Sequence, residues 1–288
     1  MQRVLKYKSR VAFNGGLALL FKKGGDEMKK TLNIEGTYNF FSGELIENIL
    51  LLRFKENLMF RAIDLEVKIT ILNYLDLVSR DDTIKVILIL NPPQMAGSEE
   101  YIEFYNQVLQ SKLDTNAALK MLHAVDQFIL KLREMDQLVI HTLSGKVIPM
   151  FLNVSLACDY RIIADNTVFQ NPCIRYGLAP KGGGAFFLSK MFGISKAFII
   201  LLSEEDITAN EALRLGLVDK VVPLSELQGE ALKIAENFAL KPTSSVRCIK
   251  RLLNFHLKDL EEYLAYESRE IGDIIRLTRS RTKQIKIY

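Results

Sequence analysis

The residues best placed to do chemistry lie between Gly145 and Gly184, in the stretch GKVIPMFLNVSLACDYRIIADNTVFQNPCIRYGLAPKGGG. A strand end runs into a short apolar segment that opens at Pro149. Proline suits a first helical position, because its missing N–H would have no intrahelical partner there. The amides of Met150 and Phe151 are then expected to be unpaired donors at the positive end of a helix dipole. A helix start of this kind can hold an oxyanion.

The other reactive side chains are scattered. The three cysteines, Cys158, Cys173 and Cys248, form no CxxC pair and carry no disulfide signature, so free thiols in a reducing cytoplasm are expected. The three histidines, His123, His141 and His256, have no zinc-ligand spacing, and no metal is expected. His141 falls in a buried-looking strand, Gln137–Thr142, where a histidine satisfied by its neighbours is the expectation. The formal charge of +4 comes largely from a basic start and a basic end, without a nucleic-acid motif. No transmembrane segment or signal peptide is recognisable: the apolar run Val11–Phe21 is broken by Asn14-Gly15-Gly16 and has no cleavage site. The expectation is a cytoplasmic protein that engages neither nucleic acid nor membrane.

Several elements must position that stretch. Ile49–Phe54 reads as a strand, Ala62–Val78 as a helix with apolar residues three and four apart, and Ile84–Leu90 as a strand buried on both faces. Strand, helix, strand in that order indicates an α/β fold. A loop from Asn91 to Glu100 follows, at the strand end where α/β proteins bind ligands. Helices at Tyr101–Leu109 and Ala117–Met135 lead to the strand at Gln137–Thr142. After Gly184 come helices at Ala185–Phe192 and Ser195–Leu202, a capping-box helix at Thr208–Glu211, a strand at Val218–Val222, and a charged helical tail. Three segments result: an N-terminal extension (1–33), an α/β core (34–223) and a C-terminal helical region (224–288). Lys23-Gly24-Gly25-Asp26-Glu27 is what the codons AAA GGA GGT GAT GAA encode, a ribosome-binding sequence placed before Met28. Translation in a bacterial source is therefore expected to begin at Met28, leaving residues 1–27 untranslated.

The run from Leu143 to Gly193, with Ala-Cys-Asp before a strand, Phe-x-x-Pro and Gly-Leu-x-Pro-x-x-Gly-Gly, followed by Ala-x-x-x-Gly-Leu-Val-x-x-Val-Val-Pro, resembles the crotonase (enoyl-CoA hydratase/isomerase) superfamily. The resemblance covers roughly Ile49 to Lys250. It implies a spiral of ββα units, C-terminal helices used in a homo-trimer or hexamer, and an acyl-CoA thioester as ligand, with coenzyme A entering only as part of the substrate. It also implies an oxyanion hole of two backbone amides, which fall here on Ala96 (of Ala96-Gly97-Ser98-Glu99) and Met150. The family's glycine run is replaced by Pro149-Met150-Phe151. The two glutamates that family hydratases use on water fall on Asn153 and Cys173, and neither is a carboxylate base. Gly97, Ser98, Glu99, Phe151 and Tyr176 remain as candidate substrate contacts, with Glu100 a further polar candidate.

Three readings remain open. The chain is a CoA- or carrier-thioester enzyme that stabilises an enolate without the two-glutamate route, a lyase or isomerase of fatty acid metabolism. Or it is an inactive paralogue that binds acyl-CoA or assembles with an active partner, or an interaction protein with no ligand.

Overall fold

The computed structural model describes residues 32–55, 64–92, 98–110 and 115–285. Residues Ile34–Tyr288 form one compact unit. Residues 1–31, including the proposed start at Met28, lie outside the described residues.

A seven-stranded sheet forms the centre. In chain order its strands are β1 (Gly36–Thr37), β2 (Phe41–Ile46), β3 (Ile49–Phe54), β4 (Val86–Leu90), β5 (Leu138–Leu143), β7 (Tyr160–Ala164) and β10 (Lys220–Val222). They lie side by side in that order. The pairs β1/β2 and β2/β3 are antiparallel, and from β3 onward every pair is parallel. Helix α1 (Leu65–Ser79) supplies the crossover from β3 to β4, and α2 (Ser98–Leu109) with α3 (Thr115–Glu134) the crossover from β4 to β5.

The register explains the apolar strands. Leu50, Leu52, Ile87, Ile89 and Val139 face one way, against Val67, Ile71, Tyr74 and Val78 of α1. Ile49, Leu51, Val86, Leu88 and Ile140 face the other way, against Ala231, Ala235 and Ala239 of α8 (Leu227–Ala239). Alternate residues thus serve opposite faces, and both faces are covered, so the strands read as continuous apolar runs. Small alanines four apart on α8 let that helix lie close to the sheet.

A third core holds the candidate site. It gathers α2, α3, α4 (Pro149–Leu156), α5 (Gly184–Phe192) and the long C-terminal helix α10 (Leu257–Ile285). Around it run a second sheet of β6 (Lys146–Val147), β8 (Val168–Phe169) and β9 (Ile207–Thr208), then α6 (Ile194–Leu202) and α7 (Ala209–Leu215). The second sheet pairs strands too short to show a period of two in the sequence. Thr208 caps α7 in a full capping box with Glu211, and Gly216 ends it in the left-handed region at φ 78°. Helix α9 (Thr243–Leu253) follows α8 and precedes α10 in the chain.

Candidate active site

Helix α4 is buried nearly all round, which its sequence PMFLNVSL permits because only Asn153 and Ser155 are polar. Ile148 caps it without a side-chain bond, and Pro149 sits in the first turn. The Phe151 amide turns back to the Ile148 carbonyl at 3.1 Å, as does Leu152 at 3.2 Å. This corrects the expectation of two free amides. Tight 3₁₀-type closure of the first turn consumes Phe151, so of these two amides only the Met150 N–H has no backbone acceptor among the described residues.

Met150 and Phe151 form part of the wall of a cavity of about 110 Å³, with Phe40, Phe54, Val67 and Phe128. It lies at the carboxyl ends of β3, β4 and β5, where a parallel sheet places its ligands. Lys68, Asn91 and His141 are the polar side chains of the wall among the described residues.

The residues at the two glutamate positions do not line this cavity. Asn153 is buried, and its Nδ2 donates to the Lys181 carbonyl at 3.0 Å. Its amide group lies so close to Gly184 that a Cβ there would meet Asn153 Nδ2 at 2.6 Å. Asn153 thus fastens the glycine turn to α4. Cys173 is buried beneath α2, where the Tyr101 phenol lies against its thiol and the Tyr105 hydroxyl. The Tyr101 oxygen is itself buried with no partner at hydrogen-bond geometry among the described residues. Two aromatic rings and a thiol therefore fill that region.

Other candidates scatter. Glu99 is exposed near the start of α2 and pairs with Lys146 at 2.8 Å, a hydrogen bond that holds its carboxyl below the usual range. Tyr176 packs at the margin of the third core. Ser98 opens α2, while Ala96 and Gly97 lie outside the described residues.

Burial pushes the Cys173 thiol up to about 11 and the Cys158 thiol up to about 12. Both stay protonated at neutral pH, and Cys248 is exposed. Alkylation of the native protein with iodoacetamide is therefore expected to modify Cys248 alone, with Cys158 and Cys173 reacting only after denaturation. Peptide mapping that finds native Cys173 labelled would show an open thiol site.

Two features were not legible beforehand. Lys181 is buried with its Nζ bonded to Asp126, to Glu267 Oε2 at 2.9 Å and to Ser268 Oγ at 2.9 Å. Glu267 in turn accepts the Gly182 and Gly183 amides, each at 3.0 Å. Gly182 and Gly183 adopt φ of 108° and 79°, a left-handed turn that presents both N–H groups to one carboxylate. This network joins α3, the glycine turn and α10. The second feature is His141. The expectation of a satisfied histidine holds for one ring nitrogen: Nε2 lies 2.6 Å from Asn91 Nδ2, while Nδ1 is buried with no partner among the described residues. Burial, with Arg161 nearby, holds its imidazole down at about 3.

The sheet order, its crossover helices and a buried helix start on an apolar cavity define an α/β protein with a ligand-sized site at the carboxyl ends of its parallel strands. The sequence profile of enoyl-CoA hydratase/isomerase matches residues 47–285, and the chain belongs to that family. It is 32% identical over 144 residues to a short-chain-enoyl-CoA hydratase of Clostridium acetobutylicum, an alignment covering 50% of this chain and 55% of that one. It is 26% identical over 184 residues to a trans-2-decenoyl-[acyl-carrier-protein] isomerase of Streptococcus mutans, covering 64% and 69%. The chain thus spans little more than half the length of the first of these relatives. Among solved structures, an enoyl-CoA hydratase from Bacillus halodurans superposes with a TM-score of 0.73 at 20% identity, covering 84% of this chain and 97% of that one.

Proposed function

We propose that the chain is an enzyme that binds an acyl thioester of coenzyme A or of an acyl carrier protein and stabilises the enolate formed from it. One observation carries this reading: the unpaired Met150 amide at the start of α4, on a residue that walls an apolar cavity. The carbonyl of a thioester gains negative charge on oxygen as its α-proton leaves. A fixed N–H at a helix start stabilises that charge without reorganising. Ala96, which follows β4 in the sequence and lies outside the described residues, is the proposed second donor. Coenzyme A serves as part of the substrate, and no other cofactor and no metal is invoked. The names of the similar proteins, a CoA-ester hydratase and a carrier-protein isomerase, agree with a thioester substrate.

The two-glutamate hydration route is not part of the proposal, because Asn153 and Cys173 hold buried structural places away from the cavity. Isomerisation needs no activated water, but it needs a group to take the α-proton and return it, and among the described residues the cavity wall holds no carboxylate.

The first test is a thermal-shift series on the protein starting at Met28, with free CoA, acetyl-CoA, crotonyl-CoA and malonyl-CoA, and ATP as control. A thioester at about a hundred times its dissociation constant is expected to add about 2.7 kcal/mol. At this size that corresponds to a rise of roughly 5–11 °C. A rise with a thioester and none with ATP is the expected result; no rise with any of them overturns the reading.

The same displacement of Asn153 and Cys173 from the cavity favours a second reading, a binding or assembly subunit without turnover. Binding without release of product in a crotonyl-CoA assay would select it. In either case we propose a homo-trimer or hexamer joined partly through the 224–288 helices. Ile194 and Phe198 on α6 are 80% and 62% exposed, and Phe255 after α9 is 81% exposed, apolar surface that an assembly would cover.

A further inference from the structure

A second cavity, of about 570 Å³, lies at the amino ends of β5 and β7, the opposite end of the sheet from Met150. Leu138, Ile140 and Tyr160 of those strands line it, and α5, α9 and the start of α10 supply the rest of the wall. Its volume is that of a small-molecule site.

The charge of this wall is lopsided. Arg133, Arg161, Lys190, Lys241 and Lys250 line it, against Asp159 as the single carboxylate among the described residues. Two of the cations are committed: Arg161 pairs with Asp219 at 2.8 Å, and Lys250 Nζ donates to Asp159 at 2.7 Å and to the Gln137 carbonyl at 2.6 Å. Arg133 is not. It is half-buried in the last turn of α3, and its guanidinium has no hydrogen-bond acceptor and no ion pair among the described residues. The backbone beneath it is fixed, because the Arg133 carbonyl accepts from Asn254 Nδ2 at 2.7 Å. Burial pulls this guanidinium below its usual pKa, Asp159 opposes that through space, and Arg161 adds to it. The dipole at the end of α3 offsets part of the charge, but a guanidinium still needs oxygens in its plane. Lys190 and Lys241 are exposed and also lack a carboxylate partner among the described residues, Lys190 Nζ lying 4.2 Å from the centre of the Phe186 ring.

A desolvated cation without a counter-ion costs free energy, and a bound anion removes that cost. A guanidinium takes a carboxylate or a phosphate through two parallel hydrogen bonds. Much of the remaining wall is apolar, with Leu156, Phe187 and Leu260 buried in it, so the ligand that fits carries a hydrocarbon body behind its charged head.

We propose that this cavity is a second ligand site that binds an amphiphilic anion, with a carboxylate or phosphate head on Arg133 and a hydrocarbon body against the apolar wall. Lys190 and Lys241 add attraction for the head. The site is separate from the one described above, since no residue of its wall lines the Met150 cavity.

Calorimetric titration of the full chain tests it with four probes: decanoate, decyl phosphate, decanol and inorganic phosphate. At least one of the two amphiphilic anions is expected to bind at one per chain, about tenfold or more tightly than decanol or inorganic phosphate, and the one that does names the head group. Arg133→Met is expected to lower that affinity about tenfold or more, and Arg133→Lys, which keeps the charge without the planar fork, to retain part of it. The ligand-free melting temperature of Arg133→Met is expected to equal or exceed that of the parent, because an unpaired charge is removed and most of the volume kept, so lost binding reports the site and not the fold. A clear fall in that temperature means that the guanidinium is already paired, and overturns the proposal. Unchanged binding of both anions by Arg133→Met places them elsewhere and overturns it, as does failure of the parent to bind either. If the parent binds neither and Arg133→Met alters its sedimentation, the proposal is overturned in favour of a second copy of the chain filling the cavity.

Discussion

Lys181→Met is expected to lower the unfolding free energy by about 3–5 kcal/mol, the cost typical of removing one partner from a buried ion pair. Lys181 is 3% exposed, and its Nζ is shared by Asp126, Glu267 and Ser268. Methionine preserves most of the volume, so the packing loss is small and the measured change reports the charge. Without the ammonium, two buried carboxylates remain, with Ser268 Oγ on Asp126 and the Gly182 and Gly183 amides on Glu267 as their nearest donors. Urea unfolding should show a lower midpoint at an unchanged slope. Neutralising all three charged members together, by Lys181→Met with Asp126→Asn and Glu267→Gln, is expected to recover most of the loss, because no uncompensated charge then stays buried. A loss below about 1 kcal/mol for Lys181→Met would mean that water reaches this network. The consequence extends to α4, since Lys181 also supplies the carbonyl that holds Asn153.

The parallel strands, the α1 crossover and the capping box around Thr208 were legible in the sequence because each depends on local pattern: apolar runs, three-and-four spacing, and a Thr-x-x-Glu pair. The free amide at the start of α4 was half legible. Pro149 marked the helix start, but which amide stays free depended on the closure of the first turn onto Ile148, which composition does not encode. The charge network was not legible, because Asp126, Lys181 and Glu267 are separated by 55 and 86 residues and each reads alone as a solvated charge. His141 was placed correctly in a strand, yet its orphaned nitrogen follows only from Asn91 on the adjacent strand end. Asn153 and Cys173 were identified through family motifs, which give position in the chain. Their orientation is a packing outcome, set by the glycine turn for Asn153 and by Tyr101 and Tyr105 for Cys173.

That packing governs the largest expected effect at the site itself. The triple substitution Met150→Gly, Asn153→Glu and Cys173→Glu rebuilds the family's glutamate pair and clears the helix start, and it is expected to yield no crotonyl-CoA hydration. At position 153 a carboxylate would face the Lys181 carbonyl, acceptor against acceptor, and would be pressed against Gly184. At position 173 it would enter a site only 1% exposed among aromatic rings. Burying an unpaired carboxylate costs several kcal/mol, so Cys173→Glu alone is expected to lose at least about 3 kcal/mol at pH 7. The sign of its pH dependence separates burial from simple crowding. Burial raises the folded pKa of the introduced acid above its unfolded value of about 4.3. Between those two values the folded state binds more protons than the unfolded state, so the variant's stability falls as pH rises, by up to about 1.4 kcal/mol per unit. The deficit relative to the parent should therefore be smallest near pH 4 and grow toward neutrality, whereas crowding alone would give the same deficit at both. If the triple variant instead hydrates crotonyl-CoA, a water must reach both carboxylates. The cavity beside Met150 would then extend to positions 153 and 173, and the case against hydration by the parent protein would rest on the missing carboxylates alone.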